Sequence, residues 1–193
     1  YYARLAAMTL GMMLMTGANN LIMMYLAIEL SSLSSYLLSG YTREAQDSSE
    51  ASLKYVIFGA VSSGMMLYGM SILYGLTGSL DVPAINAVLA RGEANVYALA
   101  VAGALILVGL GYKISAVPFH FWTPDVYQGA PITITAFLSV ASKAGGFALL
   151  MRFVKTATVG GAVPSMAGNW GLLPHLDWTE AVAILAVLTR TVG

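Results

Sequence analysis

Leu21-Ile22-Met23-Met24-Tyr25-Leu26-Ala27-Ile28-Glu29-Leu30-Ser31-Ser32-Leu33-Ser34-Ser35-Tyr36-Leu37-Leu38-Ser39-Gly40-Tyr41 is the stretch that decides the fold. As a helix, about 20 predominantly apolar residues cross the hydrocarbon core of a bilayer. The stretch is that long, holds no glycine or proline before Gly40, and carries one charged side chain, Glu29, at its middle. A helix satisfies its own backbone in lipid, whereas an open sheet leaves N–H and C=O groups unpaired there. The fold predicted from it is an all-α, polytopic membrane bundle.

Working outward, further stretches of the same kind appear on both sides. One runs from Tyr1 to Gly17, joined to the first-quoted span by the tight turn Ala18-Asn19-Asn20. Downstream, a polar loop from Thr42 to Glu50 leads to a span over Ser52–Leu76. A connection over Thr77–Asn95 precedes spans over Val96–Val117 and Ile132–Phe153, five spans in all. A Gly/Pro-containing loop, Lys155–Asp177, then leads to a further, truncated segment beginning near Trp178. The organisation expected is therefore a five-helix unit over 1–155, followed by a loop and the start of another helix over 156–193. Ala60, Gly64, Gly69, Gly103, Gly109, Gly111, Gly145 and Gly146 punctuate the spans, and small residues let membrane helices pack closely.

Composition agrees. Hydrophobic residues make up 58% of the chain and charged ones 9%, against about 25% charged in soluble domains, and mean hydropathy is +0.76. Formal net charge is zero, which gives no electrostatic footprint for nucleic acid. The chain has no cysteine, which excludes a disulfide scaffold, thiolate-held iron–sulfur or zinc clusters and a thiol nucleophile. Tyr1-Tyr2-Ala3-Arg4 runs straight into an apolar stretch and the last residues lie in another, so an internal fragment of a longer protein is expected rather than a signal peptide. Arg4, Arg43 and Lys54 on one side balance Arg91, Arg152 and Lys155 on the other, and the positive-inside rule returns no orientation.

Three charged residues, Glu29, Lys113 and Lys143, lie inside the spans, away from their ends. Glu29 costs roughly 2.5–3.5 kcal/mol to bury at mid-helix even on insertion scales. Tyr25, Ser32 and Tyr36 share its helical face and make a polar stripe. Lys113 comes late in the fourth span, and Pro118, five residues on, disrupts the ladder behind it; broken helices at membrane depth line cavities. Lys143 is mid-span with Ser139 one turn back, and a buried lysine's proton affinity responds strongly to its surroundings. A Glu–Lys pair could simply pin two helices. Pinning needs only one pair, however, and a third charge is left over; a chain of titratable groups is how protons cross a low-dielectric core.

The densest cluster of special residues is Pro118-Phe119-His120-Phe121-Trp122-Thr123-Pro124-Asp125-Val126-Tyr127-Gln128-Gly129-Ala130-Pro131. Trp122 and Tyr127 suit a headgroup-level anchor. His120 suits proton transfer near neutral pH or a hydrogen-bonded structural role. His120 and Asp125 lack the further ligands a metal site needs, and Arg43, Glu44, Asp47 and Glu50 read as a solvated loop.

The run Asn20–Tyr41 and the run Gly109-Leu110-Gly111-Tyr112-Lys113-Ile114-Ser115-Ala116-Val117-Pro118 through Pro131 resemble the fifth and seventh helices of the antiporter-like membrane subunits of respiratory complex I. Trp122-Thr123-Pro124-Asp125-Val126-Tyr127-Gln128-Gly129-Ala130-Pro131 resembles the subunit-N branch of NADH–quinone oxidoreductase. The resemblance covers residues 1–155. It implies the first of two inverted five-helix repeats, helices four to eight of fourteen, with the cytoplasmic side at the Arg43–Glu50 loop. It implies that Glu29 pairs with Lys113 of the broken helix and that Lys143 passes the proton toward the membrane centre. Arg190 departs from the apolar residue the family would place there.

The function so implied is proton translocation through a Glu/Lys relay, within a translocase enzyme whose electron transfer occurs elsewhere. No cofactor or metal is expected in this chain; quinone, flavin and iron–sulfur clusters would belong to partner subunits of the same membrane assembly. The electron donor, and H⁺ against Na⁺, do not follow from the resemblance. A bacterial or archaeal cell membrane is expected, with an organelle inner membrane as the alternative. The competing readings are a subunit of a multisubunit cation/proton antiporter and a non-conducting membrane scaffold.

Overall fold

The computed structural model describes residues 1–42, 44–91, 94–158 and 178–192, without the side chains of 155–158 and 178–181. Its helices are α1 (Tyr2–Gly17), α2 (Leu21–Ser39), α3 (Gln46–Thr77), α4 (Val82–Leu89), α5 (Val96–Ile114), α6 (Trp122–Gly129), α7 (Ile132–Phe137), a π-helical turn (Leu138–Ser142), α8 (Lys143–Thr158) and α9 (Trp178–Val192). Four helical segments are long and apolar enough to cross a membrane: Leu21–Ser39, Gln46–Thr77, Val96–Ile114 and Ile132–Val154. The sequence reading counts five. The difference is α1, whose 16 residues rise only about 24 Å against a core of about 30 Å.

Two helix starts differ from expectation for local reasons. Span three begins at Gln46 rather than Ser52. Asp47 in its first turn complements the helix dipole, and two hydroxyls tie that turn to α2: Ser48 Oγ donates to Ser39 O at 2.9 Å and Ser52 Oγ to Tyr36 O at 2.9 Å. At 32 residues, α3 is about 48 Å long and must tilt or project beyond the core. The connection after it contains α4, which the sequence reading leaves as loop; Asp81 caps it by accepting from Ala84 N, and Pro83 occupies its first turn. At the other end of the chain, α8 continues to Thr158, so 155–158 are helical where a loop is expected. Residues 159–177, Arg43, Gly92, Glu93 and Gly193 lie outside the described residues, and with them most of the expected Lys155–Asp177 loop. The helix α9 begins at Trp178 as expected.

Packing follows the small residues in part. At Gly69 an added Cβ would lie 2.7 Å from Ala102 O and 3.0 Å from Ile106 N, so α3 and α5 pass nearly backbone to backbone. Gly64, by contrast, is exposed with nothing near its missing side chain, and takes no part in a helix crossing. Around these contacts lie two apolar clusters, one built on Met15, Leu21, Met66, Leu73, Ile106 and Leu149. The second is aromatic, built on Tyr36, Tyr55, Tyr112 and Trp122.

The α1–α2 turn is stitched to its neighbours. Leu21 N donates to Leu80 O at 2.8 Å and Val82 N to Asn19 O at 2.9 Å. Arg152 of α8 reaches the same turn, donating to Ala18 O, Asn19 Oδ1 and Thr16 O at 3.0, 2.9 and 3.1 Å. These contacts hold α8 against the end of α1 and the α1–α2 turn.

Candidate functional site

Among the described residues, Lys113 is the most deeply buried charge, 3% exposed near the end of α5. An ammonium in such a place needs hydrogen-bond acceptors, because an unpaired buried charge is expensive. Two hydroxyls of α2 supply them: Nζ donates to Ser31 Oγ at 3.2 Å and to Ser32 Oγ at 3.1 Å. Both serines are themselves buried. Glu29 and Lys143 both act electrostatically on Lys113.

Glu29 is half-buried at the middle of α2 and accepts a hydrogen bond from Ser63 Oγ of α3. It is not in ion-pair contact with Lys113. Among the described residues the ion pairs are those of Lys54, with Glu50 at 2.7 Å and Asp125 at 2.6 Å. The direct Glu29–Lys113 pairing that the family resemblance implies is thus replaced by two serine-held charges interacting through space.

Lys143 is the first residue of α8, directly after the π-helical turn, an element that recurs at functional sites. Its Nζ donates to Ser115 Oγ and lies 4.8 Å from the ring centroid of Trp122 and 5.8 Å from that of Tyr127, a cation–π seat. Ser139 faces away: it is exposed and bonds back to Ala136 O. The polar partner of Lys143 therefore comes from α5 and not from its own helix.

The break between α5 and α6 arises differently from the expectation. Ser115 ends α5 in the left-handed conformation, with φ 57° and ψ 41°, and the carbonyls of Tyr112 and Gly111 are taken by Ser115 N and Ala116 N. Pro118, exposed and preceded by a cis peptide bond, lies beyond the helix end rather than inside a disrupted ladder.

Trp122 is not an interfacial anchor. It is 3% exposed, stacked on Tyr55 at 4.5 Å, and its Nε1 donates to Tyr112 O at 3.3 Å. Tyr55 in turn meets Tyr36 edge-on at 4.7 Å. Gly59 admits this group, because the hydroxyls of Tyr36 and Tyr112 occupy the space a Cβ would need. Tyr127 is half-buried, with its hydroxyl enclosed and without a hydrogen-bond partner among the described residues. His120, also half-buried, stacks on Phe121 at 4.7 Å, and its Nδ1 likewise has no partner. No hydrogen bond or ring contact among the described residues joins His120 to Lys113 or Lys143.

At the far end of α6, Asp47, Glu50, Lys54, Asp125 and Gln128 line an open cavity of about 200 Å³. Asp47 and Glu50, expected in a solvated loop, belong to the first turns of α3; Glu50 is 65% exposed and Asp125 50%, so the cavity mouth is wet. Ser31, Ser63, Ser115 and Thr123 are the site residues that sequence reasoning did not single out. The serine-rich run of α2 was a visible signal for Ser31. Nothing in the sequence marks Ser63 or Thr123, whose roles depend on helix-to-helix contact.

A family described as "NADH:quinone oxidoreductase/Mrp antiporter, TM" matches residues 18–171. NADH-quinone oxidoreductase subunit N 2 of Chloroherpeton thalassium is 49% identical over 193 residues, covering 100% of this chain and 36% of that protein. The chain spans a little over a third of the length of the curated relatives it matches. Among solved structures, respiratory complex I from Thermus thermophilus with bound aureothin contains a similar chain, 39% identical, with TM-score 0.69 over 78% of this chain and 33% of that one. The Mrp complex from Dietzia sp. contains another, 25% identical, with TM-score 0.71 over 81% and 29%. Four membrane-length helices, three charges held inside them, a helix interrupted beside a lysine and these matches converge: the chain belongs to the transmembrane family shared by NADH:quinone oxidoreductases and Mrp antiporters, as a multi-pass integral membrane protein.

Proposed function

We propose that this chain is a proton-conducting portion of a membrane subunit in an NADH–quinone oxidoreductase assembly, moving H⁺ between Glu29, Lys113 and Lys143. The observation that carries the reading is Lys113: an ammonium at 3% exposure, held by the hydroxyls of Ser31 and Ser32 and lying in the field of both Glu29 and Lys143. A change in the charge of Glu29 or of Lys143 alters the energy of Lys113 between them. Protonation events therefore propagate along the row. On this reading the quinone, flavin and iron–sulfur groups of the assembly would lie in partner subunits, and this chain would supply a proton path across the membrane.

The likeness to the Mrp complex supports a second reading, a cation/proton antiporter subunit using the same charges. The two diverge on energy source. Proton uptake driven by quinone reduction favours the first, and Na⁺-driven proton exchange without an electron donor favours the second.

The test is quinone-reductase turnover beside proton uptake in sealed inverted vesicles, comparing the wild-type assembly with Lys113→Ala. Collapse of both activities in an assembled complex is the expected result. Wild-type values for both would leave Lys113 as a helix-pinning charge and remove the relay.

A further inference from the structure

Among the described residues, Ser115 is the one non-glycine residue with a positive φ. Glycine is the usual occupant of a left-handed helix end, since it alone carries no Cβ penalty there. A serine at such a position forgoes the easy backbone choice, and an observed outlier of this kind points toward a function for the side chain. That side chain is fully engaged. Lys143 Nζ donates to Ser115 Oγ from α8, and Thr123 Oγ1 donates to it at 2.9 Å from α6.

Three elements thus meet on one oxygen. The hydroxyl has two acceptor lone pairs and one hydrogen to give; with both lone pairs occupied, what remains is its own donated hydrogen. Ser115 is also two residues from Lys113 on the same chain, beyond the last turn of α5. Gly146 of α8 brings that helix against the Lys113 stem, where an added Cβ would lie 3.1 Å from Lys113 Cγ. The left-handed turn therefore aims the Ser115 hydroxyl at Lys143 while leaving Lys113 directed toward α2.

We infer that Ser115 is a positioning residue of the relay: its left-handed backbone and doubly accepting hydroxyl hold the Lys143 ammonium at the broken end of α5, in register with Lys113. The inference rests on the proton-relay reading above. Trp122 and Tyr127 provide a face for the cation, but rings set no direction for an N–H bond. The serine oxygen sets it. Thr123, by donating to the same oxygen, orients the serine and ties the α6 half of the break to it.

The experiment separates backbone from hydroxyl in the assembled complex. Ser115→Gly accommodates the left-handed turn and removes the oxygen; Ser115→Asn tolerates that turn and restores a carbonyl acceptor. Proton uptake and quinone-reductase turnover are measured for both in sealed vesicles, with Lys143→Ala alongside. Expected are normal assembly of Ser115→Gly, proton uptake about tenfold slower, in keeping with a lost hydrogen bond to a charged group, and recovery of most of that loss in Ser115→Asn. Wild-type uptake in Ser115→Gly would reduce Ser115 to a helix cap and overturn the inference, as would Ser115→Asn remaining as slow as Ser115→Gly. If Lys143→Ala itself pumps normally, it is the relay reading that fails; if only Ser115→Gly does, the relay stands without this residue.

Discussion

Removing the two acceptors of Lys113, by Ser31→Ala with Ser32→Ala, probes the site without touching its charges. Ser31 and Ser32 are 0% and 2% exposed, and each accepts from Nζ at a distance of 3.1–3.2 Å. Alanine keeps the Cβ of Ser31, so the close approach of α1 at Gly11, where an added Cβ would lie 2.9 Å from Ser31 Cβ, is undisturbed. What is lost is hydrogen bonding to a buried ammonium, worth about 1.5–3 kcal/mol per bond to a charged group. The two losses are not additive, because one ammonium reorients to serve either partner. Taking about 2 kcal/mol for the pair, a path that must pass through protonated Lys113 slows by roughly thirtyfold. The assay is initial proton uptake in sealed inverted vesicles during quinone reduction, normalised to assembled complex. Uptake above half the wild-type rate in the double variant would refute the reasoning, since it would mean that these hydroxyls are not what sustains Lys113.

Gly69→Ala should destabilise the α3–α5 crossing by about 1–3 kcal/mol, the usual cost of forced overpacking, because its Cβ meets backbone atoms that cannot rotate away; a lower thermal midpoint of the purified assembly is the readout, and an unchanged midpoint would contradict the close crossing. Lys54→Ala should leave the thermal midpoint of the purified assembly nearly unchanged, because its partners Glu50 and Asp125 are half-exposed or more; a clear drop in the midpoint, or a large change in its salt sensitivity, would show that this ion network holds α3 against α6.

Much of this was legible in the sequence because bilayers impose simple rules. The length and apolarity of Leu21–Ser39 and Val96–Ile114 fix membrane helices before any contact is known, and a carboxylate or amine inside such a run stands out by cost alone. The runs around Glu29 and Lys113 also carried the family. What was hidden is set by which helix meets which. The Glu29 carboxylate finds Ser63 and not Lys113; Lys143 finds Ser115 across a helix boundary and not Ser139 on its own turn. Trp122 carries the residue type of an interfacial anchor, yet stacking on Tyr55 draws it inside. The helix break was attributed to Pro118, the residue with the strongest general rule attached, whereas the left-handed Ser115 ends α5 before the proline is reached.

Lys113→Arg separates a lysine that gives up and regains a proton from one that only holds a fixed charge. Arginine retains a positive charge at the end of α5 and pairs with carboxylates at least as well as lysine, but it does not release its proton at any working pH. In sealed vesicles, quinone-reductase turnover and proton uptake of Lys113→Arg should both fall to the level of Lys113→Ala in a fully assembled complex. Restoration of both activities by arginine would contradict the account, because a fixed charge would then suffice and Lys113 would be holding helices rather than carrying protons.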